Sequence, residues 1–216
     1  MSSLTQRNRF AEAFGLGLDS LRQLGITVPA ADLLPARLER QFGYLHQWLD
    51  RIDSTDDLAR PDITEPTLLA VIRLLNAVPP PAYYAGDIAT YGWLSLEALR
   101  IWLEHGPARI LVGPASHAAF AAVVVRGDYA AGYRAARRIV ALGEARGYEP
   151  EISQARYVFA VLACWFGPIE DALHAAWRAR PGCGRDRAQA RSAAPPGSAS
   201  RMSRRPPRSR PAKGPR

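Results

Sequence analysis

Large apolar side chains recur three and four positions apart along most of this chain. That spacing confines it to helices, because only a 3.6-residue period gathers such residues on one face. Between Gln6 and Leu24 the first stripe consists of Phe10, Phe14, Leu18, Leu21 and Leu24, and Gly25 stands where a helix C-terminal glycine belongs. Beyond Val28-Pro29, the set Leu34, Leu38, Phe42, Leu45, Leu49 and Ile52 repeats the spacing up to the polar turn Asp53-Ser54-Thr55. Thr64-Glu65-Pro66 offers a capping hydroxyl and a proline suited to a first turn, and an apolar run from Leu68 to Val78 follows. Pro79-Pro80-Pro81 is expected to end this third helix, since successive rings remove the amide donors.

From Asp87 to His105 the polar residues Thr90, Glu97, Arg100 and Glu104 fall on one narrow strip of an otherwise apolar helix, which must be covered on more than one side. Pro114 is placed to open the next helix, through Phe120, Val123 and Val124 to Arg126. Ala121 to Val125 has the composition of a strand, yet a five-residue run inside a helical context reads better as helix. Gly127-Asp128 predicts a turn and an N-cap, after which Tyr129, Gly132, Tyr133, Ala136, Ile139, Val140 and Gly143 keep the helical period. Arg134, Arg137 and Arg138 lie off that stripe and are expected to face water. Gly147 ends the helix, Glu149-Pro150 begins another through Tyr157, Val161 and Trp165, and Gly167-Pro168 separates it from a last helix over Ile169 to Ala179. The apolar faces around Trp165 and Trp177 are of a kind that normally requires a cover.

Helices of this length joined by short loops pack as antiparallel hairpins. The expected fold is all-α, with such hairpins stacked as an irregular tetratricopeptide-like solenoid and a disordered tail at the C-terminal end. Residues 1–60 read as N-terminal helices, 61–180 as a helical-repeat-like core and 181–216 as the tail. The helix from Gly127 to Gly147 has a tetratricopeptide character, although no strict 34-residue repeat recurs.

The net charge of +8 belongs to the tail. Residues 181–216 hold ten of the 28 Lys and Arg and one of the 20 acids, so the remainder is close to neutral. With seven Pro, four Gly and few large apolar side chains, this segment has too little surface to bury. It reads either as a basic arm for nucleic acid or anionic lipid, or, preferred here, as out-of-frame translation of a GC-rich gene. The body, with 48% hydrophobic residues over the whole chain, is rich enough for a core. The start, Met1-Ser2-Ser3-Leu4, lacks the pattern of a leader, and no uninterrupted apolar run suits a membrane helix. Cys164 and Cys183 form no paired motif, and a cytoplasmic location is expected.

Residues that carry chemistry are sparse. Lys213 is the sole lysine, which excludes a phosphate-loop or Schiff-base lysine from the helical part. His46, His105, His117 and His174 are separated by 59, 12 and 57 positions, and none has a second ligand one helical turn away, so metal binding is not expected. Glu170-Asp171 suits the first turn of a helix better than acid/base work. Cys164 is expected to be a small buried residue, and Ser95 and Ser116 lack a nucleophile elbow. Tyr83, Tyr84, Tyr91, Trp93 and Trp102 are candidates for lining a groove between helices, although helical spacing favours the core. No catalytic, cofactor-binding or metal residue is assigned, and no cofactor is expected.

In order along the chain, Pro79-Pro80-Pro81-Ala82-Tyr83-Tyr84, Leu94-Ser95-Leu96, Glu104-His105-Gly106, Gly127-Asp128-Tyr129, Gly132-Tyr133 and Cys164-Trp165-Phe166 resemble one family region. It is the helical segment that follows the predicted AAA-type ATPase domain in large bacterial multidomain sensor kinases. The likeness runs from about Arg9 to Arg180. It implies a non-catalytic scaffold or interaction module between serine/threonine kinase-like, ATPase, GAF and histidine kinase domains, which would be its protein partners. The family's kinase and ATPase motifs are missing from these residues, so no catalytic residue carries over. Where the family helix would continue, this chain turns to Arg180-Pro181-Gly182-Cys183-Gly184, which reads as the mark of a truncated or frameshifted fragment. The alternative is a small nucleic-acid-associated protein that binds through its basic tail.

Overall fold

The computed structural model describes residue 5 and residues 7–51, 55–166 and 168–179, and among the described residues every regular element is helical. In chain order these are α1 (Phe10–Gln23), α2 (Leu34–Asp50), the short α3 (Thr55–Ala59), α4 (Pro66–Ala77), the short α5 (Pro79–Tyr84), α6 (Ile88–His105), α7 (Val112–Arg126), α8 (Tyr129–Ala145), α9 (Ile152–Phe166) and α10 (Ile169–Ala179). A single 3-10 turn, Arg109–Leu111, leads into α7. The tail at 181–216, together with Ile52 and the turn at Asp53-Ser54, lies outside the described residues.

The punctuation follows local chemistry. Asp87 and Asp128 cap α6 and α8, each carboxylate accepting a backbone N–H three residues on at 3.0 and 2.9 Å. At α4 the cap differs from the sequence reading. The Glu65 carboxylate, not the Thr64 hydroxyl, accepts from Thr67 N and Leu68 N at 3.0 and 2.9 Å, because Pro66 at the first position sets Glu65 in the extended conformation a cap requires. The three prolines also act differently from expectation. They do end α4, but Pro79 then opens α5, where a missing amide costs nothing in the first turn. Ala121 to Val125 is helical, within α7.

At the centre stand α6 and α7. Residues Thr90 to Leu99, Ile101 and Trp102 of α6 are buried, and so are Ala115, Ala118, Ala119, Ala121 and Ala122 of α7. Alanines make α7 thin, so α6, α8 and α9 all pack on it. The approach of α8 is closest at Gly132, where an added Cβ would sit 2.8 Å from the Ala119 carbonyl oxygen and 2.8 Å from Val123 Cγ2. One buried cluster joins Phe42 and Trp48 of α2 to Ile72 of α4, Leu94 of α6 and Ile139 of α8, so the packing runs unbroken across residue 60.

One feature of the polar pattern sharpens the sequence reading and another corrects it. The strip on α6 is partly covered, with Glu104 exposed at its end. Thr90 and Glu97 are buried, and Glu97 accepts from Gln41 Nε2 of α2 at 2.8 Å and from Arg100 Nη2 at 2.5 Å. Arg134 and Arg137 are exposed as expected, but Arg138 is not, because α8 packs beside the α2–α3 link and turns this side chain into it. Its guanidinium lies 4.6 Å from the Trp48 ring centroid, donates to the carbonyls of Trp48 and Arg51 at 2.6 and 3.0 Å, and pairs with Asp57 at 3.3 Å. Two turns on, at the end of α8, Arg146 donates to the carbonyls of Leu58 and Arg60 at 2.7 and 2.9 Å and to Asp62 at 2.6 Å. Irregular backbone between α2 and α4 is thus held by two guanidinium groups, which satisfy carbonyls that no helix ladder serves.

Only one described stretch, Arg109–Arg126, is long and apolar enough to cross a bilayer, marginally so at a mean hydropathy of 1.2, and 56% of it is buried within the fold.

Candidate functional site

The side chains that sequence reasoning singled out for chemistry are dispersed by the fold. His46 of α2 sits 3.6 Å from Asp128, His105 sits 3.9 Å from Glu104 at the end of α6, and His174 is exposed on α10. Among the described residues no three His, Cys, Asp or Glu side chains gather as a metal site. Ser95 and Ser116 are fully buried and donate to the carbonyls of Tyr91 and Gly113 at 2.7 and 2.6 Å, one turn back on their own helices. Glu170 is exposed in the first turn of α10. Cys164 departs from its expected burial: it is exposed, on a side of α9 that no described helix covers.

The fourth histidine has a different setting. His117 of α7 faces a half-open cavity of about 300 Å³ lined by α5, α6, α7 and α9. Tyr83 is at its centre, edge-on to Tyr91 and Phe120 with ring centroids 5.5 and 5.9 Å away. Val158 and Val161 of α9 supply an aliphatic wall, and Tyr84 and Tyr157 are exposed rings at its rim. The candidate aromatics therefore divide. Tyr83, Tyr84 and Tyr91 line a groove between helices, whereas Trp93 and Trp102 are buried in the main core.

Polar groups on this cavity are few and uncharged. Burial pulls the His117 imidazole down to about 4 and pushes the Tyr91 phenol above its ordinary range, the Ser95 hydroxyl pulling the other way. Both stay neutral near pH 7. His117 Nε2 lies 2.9 Å from Gln154 Nε2, and His117 Nδ1 lies 3.4 Å from the Tyr91 hydroxyl. The Gln154 amide places its nitrogen toward the histidine and its Oε1 over Gly113, 2.3 Å from where a Cβ would stand. Gln154 escaped the sequence reading because nothing local marks it. Its partner is 37 positions away, and only the packing of α9 on α7 brings the two together.

A second candidate surface lies at the other side of α9. Trp165, Phe166, Ile169 and Leu173 are 71%, 51%, 56% and 53% exposed, a continuous run of large apolar groups facing water across α9 and α10. Phe166 of α9 stacks on Tyr133 of α8 at 5.5 Å, and α10 packs on α9 and reaches back through Arg178 to Glu144 at 3.8 Å. No family model matches this sequence, and comparisons with curated proteins and with solved structures found no match.

Proposed function

We propose that this chain is a non-catalytic helical scaffold, stacked in the tetratricopeptide manner, that couples neighbouring domains of a cytoplasmic signalling protein. The observation that carries the reading is the apolar run on α9 and α10. Four large side chains each more than half exposed form a contiguous patch of the kind that marks an interaction surface. In stacked-helix arrays the terminal helix turns polar residues to water, and α10 leaves Ile169 and Leu173 in water beside its polar Glu170 and His174. Its apolar residues Ile169 and Leu173, one turn apart, match the anchors by which one amphipathic helix takes another. The partner that fits is therefore a helix of a flanking domain. The resemblance to the region between ATPase and sensor domains of bacterial kinases supplies the class of neighbour, with kinase-like, ATPase or sensor modules on either side.

Support for the absence of catalysis is of a simpler kind. Buried polar side chains such as Glu97 and Asp57 are consumed in fastening helices together, and Ser116 in bonding a carbonyl of its own helix. Co-expression with the polypeptides encoded on either side of this one provides the test. A stoichiometric complex on gel filtration, lost when Ile169→Lys and Leu173→Lys are combined, supports the scaffold. Equal recovery of the variant complex, or ATP hydrolysis by the chain alone, defeats it. A second reading rests on the ten Lys and Arg within residues 181–216. It requires DNA binding that weakens steeply with salt and disappears when those residues are deleted.

A further inference from the structure

The cavity under Tyr83 has the composition of a ligand site rather than of a packing defect. Its walls are aromatic and aliphatic, and its buried polar groups are the Tyr91 hydroxyl and the His117 imidazole, with Tyr84 and Tyr157 exposed at the rim. Ligand pockets combine a mostly apolar lining with a small number of placed polar groups in this way. An apolar cavity of about 150 Å³ holds one benzene ring. At about 300 Å³ this one has room for a ring with a short substituent and for little more.

Hydrogen-bond direction sets the ligand's chemistry. A Gln154 nitrogen only donates, so His117 Nε2 accepts, and the single proton of a neutral imidazole is then on Nδ1. That N–H points to the Tyr91 oxygen 3.4 Å away. The phenol hydrogen is consequently not spent on the histidine, and a ligand acceptor competes for it only with the Ser95 hydroxyl. No ionised group lines the cavity, so a carboxylate or an ammonium would be taken out of water with nothing to pair with. From this arrangement we infer that the cavity binds a small uncharged aromatic molecule bearing one hydrogen-bond acceptor, its ring against Tyr83, Phe120 and Val158 and its acceptor on the Tyr91 hydroxyl.

This site is independent of the α9–α10 surface. Titration calorimetry of the full chain with acetophenone provides the test, with ethylbenzene, benzoate and tetramethylammonium as comparisons. Acetophenone is expected to bind saturably and more tightly than the other three. Tyr91→Phe removes only the hydroxyl and is expected to weaken acetophenone about three- to tenfold while leaving ethylbenzene unchanged, as loss of one net hydrogen bond requires. Val161→Phe, on a partly exposed wall, fills the cavity and is expected to abolish binding with the helical circular dichroism intact. Gly113→Ala drives the Gln154 amide from its position and is expected to weaken acetophenone alone. The inference is overturned if acetophenone shows no saturable binding, if Tyr91→Phe binds it equally well, or if tetramethylammonium binds more tightly, since the rings would then serve a cation.

Discussion

Two parts of this molecule are built from the same kind of helix and end in opposite ways. Where α8 meets the link between α2 and α4, guanidinium groups serve described backbone carbonyls that lie outside the helix ladders. Arg138 covers Trp48 and serves two carbonyls, and Arg146 ties Leu58, Arg60 and Asp62 together. Where α9 meets α10, Trp165, Phe166, Ile169 and Leu173 are left in water. The difference teaches where constraint comes from. The first region carries residues chosen by the fold's own needs for satisfied carbonyls. The second carries large apolar residues that the described chain leaves exposed, the surface on which the proposed scaffold function rests.

The sharpest way to break this contrast is to unfasten the first region. Replacing Arg138 by Met retains the apolar stem over Trp48 but takes the ion-pair partner from Asp57, whose side chain is only 7% exposed and also accepts from the Trp48 indole. Removing one partner of a buried pair costs about 3–5 kcal/mol. Urea unfolding followed by circular dichroism measures it, and a loss below about 1 kcal/mol would mean that the guanidinium is a surface ornament.

The cavity histidine gives the next largest effect. His117 is held at about 4 against an ordinary 6.5, by burial, so the unfolded chain takes up the proton first as pH falls. The neutral ring's contribution is complete above pH 6.5 and is lost on the way down to pH 4, a fall of about 3 kcal/mol at most. The groups that face the ring, Tyr91 from α6 and Gln154 from α9, are uncharged in that window. Chemical unfolding across the window is expected to show this slope in the wild type and to lose it in His117→Gln. A parallel slope in both proteins would assign the effect elsewhere.

A smaller effect belongs to the helix contact that joins the two regions. Gly132→Ala places a methyl 2.8 Å from a backbone carbonyl, which cannot rotate away as a side chain can. Overpacking of this kind costs about 1–3 kcal/mol. Gly15→Ala, with nothing within 4 Å of its Cβ, is the control and is expected to be neutral or slightly stabilising. Thermal melts of the two variants order them.

Much of this fold was legible in the sequence, and the reason is period. Glycine and aspartate at Gly127-Asp128, and the pair Pro168-Ile169, mark helix ends through local chemistry that no tertiary contact overrides. The misses share a different cause. Arg138 and Glu97 look like solvent-face residues on a helical wheel, and only the approach of a partner distant in sequence buries them, at separations of 81 and 56 positions. Cys164 failed in the opposite sense, since its apolar neighbours imply a burial that requires one more helix beside α9. The candidate site behaved likewise. Its tyrosines were visible as a cluster at 83, 84 and 91, but the histidine–glutamine pair that gives the cavity direction depends on how α9 lies on α7.

The least costly substitutions are expected where the most interesting surface is. Trp165→Gln, Ile169→Gln and Leu173→Gln each remove apolar area that folding does not bury, so each should change stability by no more than about 0.5 kcal/mol. Together they should remain within about 1.5 kcal/mol of the wild type if the three act independently. Solution behaviour should move much further, because self-association through a shared apolar patch depends on the exposed area these residues provide. Sedimentation velocity over a concentration series is expected to show association in the wild type and a monomer in the triple variant. A triple variant that unfolds instead would mean that the face is already buried by this chain, and the contrast between a fastened region and an open one would disappear. Near-identical sedimentation of two folded proteins would leave the open face intact while removing self-association as its use, and would direct the search to a helix from another domain.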